Sequence, residues 1–524
     1  MKMTPTNALI HQVRTKPREP AFFFRGETWT YQRLAAVAEH LACGLIKRGV
    51  KSGDRVALHM MNRPEMIVAY YACFQIGAIV APLRTAFKPA ELAPLLQRLK
   101  PALYIGEANL YENVAPIDTS ILASDKRVIV GEAVESWGCQ PWATLFSGVT
   151  GEAVSVSPAS HQPAVLINTS GTTGQPKFVI HTPATLSEAV NLTVNHWAFS
   201  GDEVVLQPLP TAHVSGLMLF LTSIAAGVPF ILLESFDADT VLDTIERHRC
   251  TRCTGFPAQY AALLDRQRAR PRNLASLRIC LTGADACPVD LQKRVSAEFG
   301  VPLYNVWAAT EVVGSLTYGL QLGPVARIVN GSQIRLVDDK GLDVPHGEVG
   351  ELLIRGPNVF AGYWNDKQAT ADSLRGGWYH TGDLMRRGDG DDLWFVSRKK
   401  DIIIRGGTNI SPAEVERVLV SHPAVQDAAV VGVPDDVLGQ RVFGFVKITN
   451  LTTPVLVAEI LAFAAKQLAS YKVPEGLAVI DDFPRNALGK VDRNAMVKMA
   501  AETNNLRHGG DASFSSEQLA RRTK

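Results

Sequence analysis

Residues 30–83, "TYQRLAAVAEHLACGLIKRGVKSGDRVALHMMNRPEMIVAYYACFQIGAIVAPL", switch between two periods. In "TYQRLAAVAEHLACGLIKRG" apolar residues recur at helical spacing and stop at Gly49, and "DRVALHM" follows as a strand. "PEMIVAYYACFQIG" then reads as a helix and "AIVAPL" as a strand. The same alternation returns in "DADTVLDTIERHR", "CTRCTGF", "PAQYAALLDRQ" and "LRICLTG". Repeated βα units predict an α/β fold with largely parallel sheets. No internal sequence repeat is visible.

From about residue 332 the texture changes to short strands such as "SQIRLVDD" and "GEVGELLIRG", and a Gly/Asp-rich turn, "RRGDGDD", precedes the last piece of about 100 residues. That piece has its own α+β pattern, with a helix expected around 455–469. The chain therefore divides into a large multi-subdomain N-terminal α/β domain, residues 1–398, and a small C-terminal α+β domain, residues 399–503. The boundary falls near Lys399–Lys400 in the charged link "SRKKD". Residues 504–524 are polar and Gly/Ser-bearing, and disorder is expected there.

At 524 residues the chain is too long for one core, and 46% hydrophobic with 20% charged residues is the balance of an ordinary globular protein. A net charge of +2 gives no electrostatic reason to invoke nucleic acid or an anionic membrane. The N-terminus lacks the apolar stretch of a secretory signal. The uncharged runs at 67–83 and 216–233 are short and broken by Gly77, Pro82, Gly227 and Pro229, so each reads as buried helix, turn and strand, not as a stable membrane insertion. The default compartment is the cytoplasm. Seven scattered cysteines argue against a disulfide framework, and "RHRCTRC" lacks a matching second pair for zinc, since Cys280 and Cys287 are seven apart.

The chemistry concentrates first in "LINTSGTTGQPKFVIHT", residues 166–182. Hydroxyls, glycines and a lysine stand between two apolar runs, the composition of a loop whose amides and hydroxyls approach phosphate closely. It is not a Walker A loop, because Pro176 stands five residues after Gly171 and the flanks read as two strands instead of a strand and a helix. Downstream lie "PLPTAHVSGL" (208–217), "TGADACP" (282–288), "NVWAATEVVG" (305–314), "GWYHTGDL" (377–384), "SRKKDIIIRGGTNISPAEVE" (397–416) and "PRNALGKVDR" (484–493). In this order the set resembles the adenylate-forming superfamily, which includes acyl-CoA and aryl-CoA synthetases, over roughly residues 20–500.

The resemblance implies two half-reactions. A carboxylate attacks the α-phosphate of ATP to give acyl-AMP and pyrophosphate, and a thiol then displaces AMP. It implies that Thr169, Ser170, Gly171, Thr172, Thr173 and Gly174 hold the β- and γ-phosphates, with Lys177 adding a point charge. It implies that Thr310 and Glu311 act at the triphosphate, Glu311 as the ligand of Mg²⁺. Asp383 matches the acid that accepts both ribose hydroxyls, a task for two acceptor oxygens, and Arg398 matches the arginine that also reaches the ribose. Lys490 matches the lysine that bridges carboxylate and α-phosphate as charge builds. The resemblance also implies that Lys400 sits at the hinge about which the small domain swings, and that Gly406 and Gly407, readable also as a simple turn, let the backbone approach the pantetheine arm of CoA.

Several positions depart from the common pattern of the family. Phe178 stands where Gly is usual, crowding the start of the second strand. Trp307 replaces Tyr and keeps a ring able to stack on adenine. Ala308 replaces Gly where acetate-specific members carry Trp, which leaves the acid pocket open but slightly narrowed. Asp285 puts a carboxyl among small neutral residues, to touch the adenine amine or to cap the next helix. His213, Gly283, Ala284 and Ala308 make up the expected acid pocket, His213 being readable also as a core histidine. The expected activity is an AMP-forming acyl- or aryl-CoA synthetase using ATP, Mg²⁺ and CoA on an acid larger than acetate, fatty or aromatic. One rival is an acyl-AMP ligase that delivers to a carrier-protein phosphopantetheine; another is a non-catalytic nucleotide-binding scaffold. No long insertion before the small domain and no fused carrier domain are seen, which favours CoA, and Lys490 with Thr310, Glu311, Asp383 and Arg398 disfavours the scaffold. A homodimer is left open.

Overall fold

A computed structural model describes residues 4–132, 137–149, 159–169, 177–283, 287–405, 408–435, 438–448, 457–485 and 491–507. Its contacts group the chain into two compact units. The first comprises Met1–Ile334, Leu353–His380 and Asp389–Leu393, and the second comprises Arg335–Leu352, Thr381–Gly388 and Trp394–Lys524.

Two sheets build the first unit. One orders the strands Val325–Ile328, Leu316–Tyr318, Leu303–Val306, Ile279–Gly283, Arg252–Gly255, Val205–Gln207, Phe230–Leu232, Pro20–Phe24 and Glu27–Thr30. Its neighbours are parallel from Leu303–Val306 through to Pro20–Phe24, and antiparallel pairs finish the two ends. The other sheet orders Gln140–Pro141, Arg127–Val130, Leu103–Glu107, Arg55–His59, Ile79–Pro82, Val165–Thr169 and Lys177–His181. Only the last pair is antiparallel. Mixed α/β architecture with mainly parallel strands is what the alternating periods predict.

The uncharged runs are core helices and their following strands. Pro64–Ile76 starts on a proline, buries nearly every side chain, and ends at Gly77, whose φ of +70° suits the left-handed cap. Ile79–Pro82 follows as a buried strand. Val214–Ala226 is buried in the same way and ends at Gly227. A helix apolar all round has no face for water, so it packs between other elements. No helix among the described residues is long and apolar enough to cross a membrane. Cys250, Cys253 and Cys280 are buried in one apolar cluster, and burial pushes the Cys253 thiol up to about 11. They pack as small apolar side chains.

In the second unit, a small sheet orders Thr408–Ile410, Ile403–Arg405, Gly439–Ile448 and Val425–Asp435, with Gly476–Val479 parallel to Gly439–Ile448. The helices Pro412–Val420 and Val457–Ala465 cover one apolar cluster, and Arg493–Arg507 contributes Met496 and Ala500 to another.

Candidate active site

The loop of residues 170–176 lies outside the described residues, but its two flanking strands do not. Val165–Thr169 and Lys177–His181 pair antiparallel, with Thr169 opposite Lys177 and Asn168 opposite Phe178. Because side chains alternate along a strand, Thr169, Lys177 and His181 share one face and Phe178 points to the other. Phe178 is fully buried there with Leu166, Leu83, Phe87 and Leu92. The ring that crowds the strand in the sequence therefore belongs to the core and stays off the face carrying Lys177.

A third segment docks on this hairpin. Ala361 N donates to Ile180 O at 2.9 Å, Ile180 N to Gly362 O at 3.0 Å, and Trp364 N to Phe178 O at 2.9 Å. That register sets the Tyr363 ring 4.9 Å from the Lys177 ammonium, within cation–π reach. The Tyr363 hydroxyl donates to Glu311 Oε1 at 2.8 Å. Burial, then the adjacent Glu311 carboxylate, raises the Tyr363 phenol well above its ordinary range, so it stays a donor. Phe360 N also donates to Glu311 O at 2.8 Å, and Asn358 Nδ2 holds Val313 O at 2.7 Å and Ser315 Oγ at 2.8 Å.

His181 ties the same hairpin to Thr310. Its Nε2 lies 2.7 Å from Thr310 O, a carbonyl that only accepts, so Nε2 carries the proton. Its Nδ1, 3.2 Å from Thr185 Oγ1, is then the acceptor. Complete burial lowers its pKa below the usual 6.5, which favours this neutral form. Neither His181 nor Tyr363 was singled out by motif reading. A histidine within the apolar run "FVIHT" was the one visible hint for the first, and Tyr363 had none.

His213, Gly283, Trp307 and Ala308 line a single cavity of about 140 Å³ in the first unit. Its walls are mainly apolar, with Met218, Leu219, Phe256, Leu281, Val306 and Val313 among them. Gly283 has a steric reason: a Cβ there would stand 2.4 Å from Val306 O on the neighbouring strand. His213 caps the helix Val214–Ala226, with its Nδ1 2.7 Å from Ser215 Oγ. The loop before it is pinned by Asn62, whose Nδ2 donates to Leu209 O and Leu233 O at 2.9 Å and whose Oδ1 accepts from Thr211 N at 2.7 Å. Gln207 Nε2 adds bonds to Leu209 O and Gly216 O at 3.1 Å. Ala284 and Asp285 lie outside the described residues.

A larger hollow of about 390 Å³, elsewhere in the same unit, holds Arg25, Arg33 and Arg63. Each already faces a carboxylate: Arg25 pairs with Glu234, Arg33 with Glu27 at 3.0 Å, and Arg63 with Glu65 at 2.8 Å. Its cations are neutralised in place, so the smaller apolar cavity is the better ligand site.

In the second unit, Asp383 and Arg398 come together, with Nε 3.5 Å from Oδ1. Asp383 is buried and Arg398 half-exposed, so a buried acceptor stands beside an accessible cation. Thr381 Oγ1 accepts from Asp383 N at 3.0 Å and donates to Leu352 O at 2.8 Å. Buried Glu351 accepts from Gly382 N at 3.3 Å and from Lys399 Nζ at 3.1 Å, and Lys399 also meets Asp339 at 2.9 Å. Lys400, next in the chain, is exposed in the short turn Lys399–Asp401. Gly406, Gly407 and Lys490 lie outside the described residues. The residues bounding their segments do pair, Arg405 with Thr408 and Arg485 with Val491.

Residues 9–364 match the family model described as AMP-binding enzyme, and residues 414–490 match the AMP-binding enzyme C-terminal domain. The indoleacetate–CoA ligase of Aromatoleum aromaticum is 34% identical over 496 residues, covering 93% of this chain and 96% of that protein. The medium-chain fatty-acid–CoA ligase of Escherichia coli is 30% identical over 484 residues, covering 89% and 85%. Among solved structures, ATP-bound MatB from Rhodopseudomonas palustris matches with a TM-score of 0.86 at 26% identity, covering 95% of this chain and 99% of its own.

Proposed function

The chain belongs to the AMP-binding enzyme family, and from that premise we propose that it joins a carboxylic acid to coenzyme A at the expense of ATP. The acid is larger than acetate. The observation that carries this reading is the apolar cavity lined by His213, Gly283, Trp307 and Ala308, in the same unit as Thr310 and Glu311. An alanine at position 308 leaves open the space that a tryptophan would fill.

In the first step a carboxylate oxygen of the acid bonds to the α-phosphorus of ATP, and the bond to the bridging oxygen of pyrophosphate breaks. Both reactants are anions, so the chain must supply positive charge and fixed dipoles and needs no general base. Thr169, Ser170, Gly171, Thr172, Thr173 and Gly174 would hold the β- and γ-phosphates, with Lys177 at the base of their loop. Glu311 offers one hard carboxylate beside substrate phosphates, a donor set that suits Mg²⁺. Mg²⁺ held there supplies charge neutralisation along the triphosphate. Tyr363 fixes one Glu311 oxygen, and His181 fixes the Thr310 carbonyl beside it. Trp307 would stack on adenine, and Asp383 with Arg398 would take the ribose hydroxyls.

Lys490 would bridge the carboxylate and the α-phosphate when the C-terminal domain, residues 399–503, closes. For the second step the domain would turn about Lys400 and bring Gly406 and Gly407 to the pantetheine arm. The thiolate sulfur of CoA then bonds to the acyl carbon and AMP leaves. We place the reaction in the cytoplasm, the default compartment for a chain whose co-substrates would be ATP and CoA.

ATP–pyrophosphate exchange across an acid panel, repeated with and without CoA, tests the proposal. Acid-dependent exchange with CoA-dependent AMP release is expected. Exchange without thioester formation on CoA would instead favour a carrier-protein acceptor. For the hinge, Lys400→Pro should spare exchange and impair thioester formation, and equal loss of both halves would count against the swing.

A further inference from the structure

The helix Pro183–Trp197 puts Leu192, Thr193, His196 and Trp197 into the lining of the apolar cavity. Their spacing keeps them on one helix face. The Trp197 side chain packs on the apolar cluster that includes Met218 and Leu219, which also line the cavity. The strand Arg252–Gly255 adds Thr254 and Gly255 to the lining. Cys253 turns away into another apolar cluster, so Arg252 and Thr254 share the cavity side of the sheet. Exposed Ala308 and its neighbour Trp307 follow the carboxyl end of the strand Leu303–Val306, and Arg252 stands at the amino end of its own strand. These strands run parallel, joined through Ile279–Gly283. The cavity therefore opens at Ala308, and Arg252 lies beyond its inner end.

Buried Arg252 makes a two-pronged ion pair with buried Glu203: Nη2 is 3.0 Å from Oε1, and Nε pairs with Oε2. The same Nη2 donates to Trp197 O at 2.8 Å. The guanidinium carbon lies 4.5 Å from the centre of the Phe199 ring and 5.8 Å from that of Trp197, and the two rings are 5.9 Å apart. Between them Ala198 has a φ of +43°, a left-handed conformation that persists in an alanine only where its surroundings fix it. A buried ion pair is costly to desolvate and is a poor source of stability by itself. The contacts of this one fix the turn that carries Trp197.

Resting on the ligase reading above, we propose that Trp197 is the inner wall that limits the length of the acid, and that Arg252 and Glu203 are positioning residues that hold it there. The cavity, about 140 Å³, is close to the roughly 150 Å³ that admits a benzene ring. The acid it takes is therefore compact, a single ring or a short chain of like volume. A long straight chain would have to displace Trp197. It would then meet the buried Glu203–Arg252 pair, to which an apolar tail offers no hydrogen bond.

The test is ATP–pyrophosphate exchange by the full chain with phenylacetate and with straight-chain acids from butanoate to dodecanoate. The expected result is a kcat/KM that falls by about tenfold or more from hexanoate to decanoate, with phenylacetate above decanoate. Trp197→Leu keeps the wall apolar and shortens it. It should raise the decanoate-to-hexanoate ratio by about tenfold, chiefly through the KM for the acid. Removing one member of a buried pair strands the other charge, so both are replaced together, as Glu203→Leu with Arg252→Met. This double variant should raise the same ratio by about threefold, less than one methylene is worth, with the KM for ATP unmoved. A pair with only a structural role would change the yield of folded enzyme and leave the ratio alone. Wild-type enzyme that uses decanoate as well as hexanoate, or Trp197→Leu with the wild-type ratio, would overturn the length limit. A folded double variant with the wild-type ratio would overturn the positioning role. Exchange confined to longer or bulkier acids would overturn the inference and leave the ligase reading standing. Exchange with none of these acids, nor with any other in a broad panel, would overturn the ligase reading, and this inference with it.

Discussion

Two regions of the first unit treat polar groups in opposite ways. On the ridge formed by Lys177, His181, Thr310, Glu311 and Tyr363, contacts to neighbouring groups fix the side chains: Tyr363 holds Glu311, His181 holds the Thr310 carbonyl, and Lys177 sits over the Tyr363 ring. Around the cavity lined by His213, Gly283, Trp307 and Ala308 the walls are mainly apolar, and polar side chains such as Asn62, which donates to Leu209 O and Leu233 O, bond the backbone behind them. On the proposed function the difference would separate two tasks. A ridge that handled the same triphosphate in every turnover would gain from being rigid before the ligand arrives. A pocket that chose among acids would do so by the shape of its mainly apolar walls. Damage to the ridge should therefore slow every acid alike, and damage to the cavity should reorder acids.

The largest expected effect lies on neither. Phe178, on the far face of the hairpin, is fully buried. Phe178→Ala should cost about 3–5 kcal/mol of stability, as for other large-to-small changes at buried aromatics. Denaturant unfolding measures that cost. The ranking of acids by the protein that remains folded should be the same as in the wild type, and a changed ranking would mean that the two faces are coupled.

Next comes Lys490→Ala, expected to slow adenylation by on the order of 10²–10³, about 3–4 kcal/mol, if the lysine acts as a preorganised charge-stabilising donor. The factor should be the same for each acid, and thioester formation from supplied acyl-AMP should survive. Normal pyrophosphate release by this variant would remove Lys490 from the first step.

Tyr363→Phe removes one hydroxyl from the ridge and keeps its ring under Lys177. A hydrogen bond to a charged group is worth about 1.5–3 kcal/mol. A loss near the lower end, roughly tenfold in kcat/KM for ATP, is expected because the carboxylate can turn to water. Raising Mg²⁺ should recover part of it if Glu311 is merely misplaced. An acid-dependent loss would break the division between ridge and cavity.

The sequence made much of this arrangement legible, for reasons that differ by residue. Periodicity identified the βα alternation and the two strands around the loop, because burial on defined faces writes itself into local order. Asp383 and Arg398, fifteen positions apart in the chain, were named from separate motifs and lie 3.5 Å apart. Tyr363 escaped because its place depends on residues 361–364 docking on Lys177–His181, a pairing that crosses some 180 positions of chain. Phe178 is anomalous in one dimension because it stands where the family has glycine, while in three dimensions the alternation of faces along the strand sends it to the core.

The smallest effect is the one that sharpens the comparison most. Ala308 contributes one methyl to the cavity lining and is exposed without a ligand. Ala308→Gly removes that methyl and widens the cavity where the family pattern has glycine. One methylene in an apolar pocket is worth about 1–3 kcal/mol between competing substrates. Because Ala308 is not enclosed on all sides, the lower end applies, roughly fivefold. The shift should favour the bulkier acid of a pair, read as kcat/KM for 1-naphthylacetate against phenylacetate. The KM for ATP should not move, since the ridge is untouched. A raised KM for ATP with an unchanged acid ratio would place Ala308 against the nucleotide, and the boundary between the two regions would have to be redrawn on the other side of residue 308.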